Sequence, residues 1–138
     1  MAVLAQSSVA DLETAAQGVS NWPSYAFLRR PEVGLVMVRA RAGGTGGRFN
    51  LGEMTVTRCT VQLEGGVLGH AYVAGRSRRH AELAAVFDAL LQDPAHREGL
   101  GRTVLAPLED KRQARRRATA EKAGATRVEF FTMLRGED

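Results

Sequence analysis

At 138 residues the chain has the length of one ordinary domain. Its 44% hydrophobic and 25% charged residues suit a globular protein that buries a core without staples, and its lone cysteine, Cys59, excludes an internal disulfide framework. Nineteen Lys and Arg against fifteen Asp and Glu leave a net +4, which favours polyanions or acidic protein surfaces as partners.

The chain opens on "MAVLAQSSVADLE", which has no basic leader region, and its apolar run is too short for a signal peptide. No later window approaches the roughly 20 apolar residues of a membrane span. A cytoplasmic location is therefore expected, with no membrane partner. The first 18 residues read as helical with a break at "QSS", where Ser8 can cap a second helix with Asp11 in its first turn, and Gly18 ends that helix. In "NWPSYAFLRRPEVG", Pro23 and Pro31 confine any strand to a short edge segment, Tyr25 to Arg29.

From Gly34 the period becomes two. "GLVMVRARA" places Val36, Val38 and Ala40 on one face and Leu35, Met37, Arg39 and Arg41 on the other. A glycine loop follows. "EMTVTRCTVQLE" then sets Thr57, Cys59, Val61 and Leu63 on the apolar side of a half-buried strand, and "EGG" turns the chain into a third strand, "VLGHAYVAG". "SRRHAELAAVFDALLQ" returns to helical spacing, with Ser77 as cap, a stripe of Leu83, Val86, Phe87, Leu90 and Leu91, and a stop at Pro94. "GRTVLAPLED" reads as a linker. A last helix is expected from about Glu109 to Ala123, ended by Gly124, with "TRVEFFTMLRG" as an extended apolar tail. The predicted fold is α+β, an antiparallel β-meander packed with helices, whose C-terminal tail docks on a partner or on the sheet.

"RAGGTGGRF", Arg41 to Phe49, holds four glycines in five positions. It lacks the P-loop's Lys-Ser or Lys-Thr, and a strand follows it where a dinucleotide fingerprint would open a helix. It reads either as a strand connection or as a nest of backbone N–H groups for an anion, with Arg41 and Arg48 alongside. His80, on or near the apolar stripe, reads first as a packing histidine. Three separated histidines and one cysteine offer no zinc spacing, so no metal is expected. Cys59 sits on the apolar face as an inert thiol, and Glu82 and Asp88 are too far around their helix to form a carboxylate pair.

"KRQARRR" packs five positive charges into Lys111 to Arg117 but carries none of the aromatic platforms of single-strand binders. Only Ala114 and Ala118 give that helix an apolar edge, so it would be better held by a partner. "VEFFTML" is equally ill suited to water. Phe130, Phe131 and Met133 are accordingly expected at an interface. No nucleophile–base pair stands out, and no catalytic residue is assigned.

Taken together, Gly43-Gly44-Thr45-Gly46 followed by Arg48-Phe49, Gly75-Arg76 with His80-Ala81-Glu82, and Phe130-Phe131-Thr132-Met133 before Arg135-Gly136 resemble the PhnG family, over nearly the whole chain. PhnG proteins are subunits of the bacterial carbon–phosphorus lyase system for phosphonate breakdown. The resemblance implies one PhnG-like domain over residues 1–138, acting as a subunit with PhnI, PhnH and PhnJ in a core complex, and with PhnL associating. It implies support for transfer of ribose 5-triphosphate from ATP to methylphosphonate with release of adenine, base displacement resting on PhnI and radical C–P cleavage on PhnJ. On that reading this chain binds no cofactor alone, ATP is used by the complex, and nucleic acid is not expected. Arg41, Gly43, Gly44, Thr45, Gly46, Arg48, Arg76 and His80 become candidates for contact with an anion or a partner. The competing readings are a small basic RNA-binding protein and a free-standing phosphotransferase.

Overall fold

The computed structural model of the chain describes residues 1–125. Helix α1 (Ala2–Gln6) leads into α2 (Val9–Gln17), where Ser8 Oγ accepts the Asp11 amide at 3.1 Å, so the predicted cap forms. Three antiparallel strands follow, β1 (Tyr25–Arg41), β2 (Arg48–Leu63) and β3 (Leu68–Ala74), in the order β1-β2-β3. Helix α3 (Arg78–Gln92) starts at Ser77, whose Oγ accepts the His80 amide at 3.2 Å. The α+β meander is thus the fold.

The helices cover one face of the sheet. Thr57, Cys59, Val61, Ala71 and Val73 meet Leu83, Val86, Phe87 and Leu90 of α3, while Leu4 and Leu12 close the core from α1 and α2. Trp22 stands edge-on to Phe87 with ring centroids 5.3 Å apart. At Gly69 the sheet and α3 nearly touch. An added Cβ would lie 2.7 Å from the Ala89 amide nitrogen and would press into the Ala85 carbonyl oxygen, so only glycine fits.

Three expectations need correction. The strand predicted to stop at Arg29 continues to Arg41 through Pro31. The register jumps from Arg29↔Thr60 to Glu32↔Arg58, leaving Arg30 and Pro31 out of the ladder, and β1 is an edge strand, where a missing N–H is tolerated. Glu32 holds the irregularity, accepting from Arg29 at 3.2 Å and from Arg58 at 2.5 Å.

The chain stays helical from Pro94 on, through the expected linker "GRTVLAPLED". Asp93 Oδ1 accepts the Ala95 amide and Pro94 takes the first position of α4 (Pro94–Leu100), where its ring suits the helix. A π-helical turn, Gly101–Leu105, joins it to α5. Pro107 accounts for that turn, since it lacks the N–H that the Thr103 carbonyl would accept in an α-helix. Lastly, α5 runs Ala106–Ala125, beginning earlier than Glu109 and passing Gly124. Leu100, Val104 and Leu108, four apart, are buried in the core. Beyond Arg112, α5 is exposed. The C-terminal tail, with Phe130, Phe131 and Met133, lies outside the described residues.

Candidate functional site

Strands β1 and β2 pair well past the reach of β3. The β2–β3 ladder ends at Val56↔Ala74, whereas β1 and β2 stay paired to Arg41↔Arg48. The segment from Leu35 to Thr55 is therefore a two-stranded ribbon on the order of 20 Å long by strand rise, extending from a three-stranded base. Opposed residues of an antiparallel pair share a face. Leu35↔Thr55 and Met37↔Glu53 continue the face that carries Thr57, Cys59 and Val61 in the core, but here no helix among the described residues covers it. Leu35 is 62% exposed, Met37 53% and Leu51 64%.

The register shifts again at the tip. Val38 faces Gly52 and Arg39 faces Asn50, so Leu51 is the extra residue of a bulge. After it, Arg39 and Asn50 lie with Arg41 and Arg48 on one side of the ribbon, and Ala40 and Phe49 on the other. An open concavity of about 380 Å³ is lined by Arg39, Ala40, Arg41 and Arg48. Among the described residues no ion pair involves any of these three arginines.

The glycine loop between the strands is accounted for by its turn. Ala42–Gly44 form a 3₁₀ turn, Gly43 and Gly44 have φ of 58° and 81°, and the Gly46 amide donates to the Ala42 carbonyl at 2.9 Å. A Cβ on Gly46 would lie 2.6 Å from that oxygen. The Gly46 N–H is thus already engaged, and Arg41 Nη1 reaches the Gly46 carbonyl at 3.5 Å. Thr45 is exposed at the end of the turn. Cationic side chains, more than the glycine amides, are what this tip offers an anion.

The other candidates lie elsewhere. Arg76 is exposed beside Gly75, whose amide donates to the Thr55 carbonyl and whose carbonyl accepts Thr57 Oγ1 at 2.7 Å, which puts it at the ribbon's base. His80 is buried and its Nε2–H donates to the Leu4 carbonyl at 2.9 Å, the packing role. Arg39 escaped the sequence-based list of site residues, although its place two residues before Arg41 on one face was the available signal.

The second basic locus is α5. Lys111 pairs with Asp11 at 2.5 Å, Arg112 forks onto Glu109 at 2.8 Å, and Arg115 Nη2 donates to the Gln6 carbonyl at 2.5 Å. The Lys111 ammonium, followed by Ser8, holds the Asp11 carboxyl below its ordinary range. The helix predicted to need a partner is therefore rooted on α1 and α2, with its outer half projecting.

Titratable groups in the core serve the fold. Burial, and then Glu82, push the Cys59 thiol up to about 11, which leaves it protonated and unreactive at neutral pH. Tyr25 Oη donates to Glu82 Oε1 at 2.5 Å, and Arg79 bridges Glu82 at 3.2 Å to Glu13 at 3.5 Å. Asp88 instead accepts the His70 amide at 3.1 Å. Among the described residues no three His, Cys, Asp or Glu side chains gather closely enough to hold a metal ion, and no helix is long and apolar enough to cross a membrane.

The family described as phosphonate metabolism protein PhnG matches residues 1–136. The alpha-D-ribose 1-methylphosphonate 5-triphosphate synthase subunit PhnG of Rhizobium meliloti (strain 1021) is 48% identical over 141 residues, covering 100% of this chain and 88% of the relative. The chain belongs to the PhnG family of phosphonate metabolism proteins.

Proposed function

We propose that the protein is the PhnG subunit of a ribose 1-methylphosphonate 5-triphosphate synthase and acts in phosphonate catabolism as part of a cytoplasmic hetero-oligomer. The assembly transfers ribose 5-triphosphate from ATP to methylphosphonate and releases adenine. PhnI, PhnH and PhnJ are its partners, with PhnL associating, and ATP enters at the level of the complex. This chain contributes surface and charge, and the groups that break and form bonds come from its partners.

The two-stranded ribbon from Leu35 to Thr55 carries this reading. Two strands without a covering layer are marginal in water, and Leu35, Met37 and Leu51 expose apolar area that a free-standing protein would bury. A partner laid along the ribbon removes that area from water. The RNA-binding alternative is weakened because Lys111, Arg112 and Arg115, three of the five cations of its basic run, are engaged by Asp11, Glu109 and Gln6 within the fold.

The test is co-expression with a tagged PhnI-like subunit followed by size-exclusion chromatography. The wild-type chain should elute in a stoichiometric complex. Leu35→Glu with Met37→Glu should abolish co-elution while leaving the melting temperature of the isolated chain nearly unchanged, since both side chains are solvent-facing there. A wild-type chain that ignores the partner would overturn the subunit reading. A double variant that still co-elutes would remove the ribbon from the interface.

A further inference from the structure

We infer that Arg39, Arg41 and Arg48 form a binding site for the triphosphate chain of a nucleotide or of its phosphonate product, delivered by the ribbon to the assembly; this rests on the subunit reading above. Arg41 and Arg48 are direct cross-strand partners, an arrangement that costs stability because like charges face each other. Arg39 joins them on the same side of the strand, and the bulge that expels Leu51 is what brings Arg39 opposite Asn50. Without that one-residue shift, the Arg39 partner would be Leu51 and Asn50 would oppose Ala40. The irregularity thus gathers three guanidinium groups and one amide at a free tip.

No acid pairs with any of the three among the described residues, and the acid of the ribbon that shares their face is Glu53, opposite Met37. The other arginine cluster offers a contrast. On α5, Arg112 is satisfied by Glu109 and Gln6, and Arg115 by the Gln6 carbonyl. Those charges serve the fold, whereas at the tip Arg41 alone reaches a backbone acceptor, the Gly46 carbonyl at a long 3.5 Å. A single carboxylate would neutralise one of the three. A triphosphate, with several negative charges spaced along a short chain, matches a +3 cluster, and the planar guanidinium fork binds phosphoryl oxygens in pairs. Asn50 adds an amide donor for a bridging or terminal oxygen. The concavity of about 380 Å³ is open on its outer side, as a site completed by a second subunit would be.

The experiment titrates the purified complex with inorganic tripolyphosphate by calorimetry at two salt concentrations. Arg39→Gln with Arg48→Gln should weaken binding by about tenfold or more per charge removed, at the scale of a charge-assisted hydrogen bond, and should flatten the salt dependence. Arg39→Lys should recover part of the affinity, while Arg116→Gln on α5 should leave it unchanged. Equal binding by the double variant in an intact complex overturns the inference and spares the subunit reading. A double variant that folds but no longer assembles makes the arginines contacts to an acidic partner surface, which also overturns it. Failure of the wild-type chain to assemble sinks the subunit reading instead.

Discussion

Tyr25 and His80 show how single side chains close this core. The His80 ring spans from α3 to α1 and donates to the Leu4 carbonyl, a helix-terminal acceptor that otherwise has only the long 3.4 Å bond from the Ser7 amide. Tyr25 ties the start of β1 to α3 through Glu82. Burial, and then the Glu82 carboxylate, push its phenol from 10.0 up to about 12. Below pH 10 both the folded and the unfolded chain hold that proton. Between pH 10 and 12 the unfolded chain releases it while the folded chain retains it, so unfolding gains and stability falls. Comparing denaturant midpoints of the wild-type chain and Tyr25→Phe should give a gap that shrinks as pH rises through that window. A gap independent of pH would show that the phenol titrates alike in both states.

At the scale of elements, the decisive contacts are close approaches that only small residues permit. Gly69 on β3 lies against Ala85 and Ala89 of α3, and Gly69→Ala should destabilise the chain by about 1–3 kcal/mol through overpacking. Gly47 in the hairpin loop has open space and no left-handed φ, so Gly47→Ala in the isolated chain should fall within about 0.5 kcal/mol of wild type. Thermal melts of the two variants make the comparison, and equal losses would contradict it. Helix α5 depends on a similar local device. The π turn at Gly101–Leu105 accommodates Pro107 while keeping Leu100, Val104 and Leu108 in the core. Periodicity alone could have found these residues at four-residue spacing, but Gly101 and Pro107 read as breaks because a π turn leaves no mark of its own in composition.

The whole molecule divides into a layered body and an arm. In the body, β2 and β3 are backed by α3. In the arm, β1 and β2 have only each other among the described residues. Backbone hydrogen bonds without a packed layer open easily. Amide exchange in the isolated chain should therefore be faster across residues 35–54 than across β3, and should slow on assembly with the partner. Uniform protection along β2 in the isolated chain would mean that the arm is stabilised without a partner. The same division explains why the tip tolerates three arginines on one face. Far from the core, their repulsion is paid in solvent-screened charge, and it is relieved when an anion is bound.

The sequence by itself determined the strand periods, the caps at Ser8 and Ser77, the stripe of α3, the buried state of Cys59 and the family, because each of these rests on residues near one another in the chain or on a local motif. The length of β1, the helicity after Pro94 and the grouping of Arg39 with Arg41 and Arg48 were decided by tertiary structure. Pro31 is tolerated because β1 lies at an edge, and Pro107 because a π turn absorbs it. Arg39 joins the others because a bulge in β2 moves the register by one residue. A register is a property of two paired strands, and neither strand carries it alone.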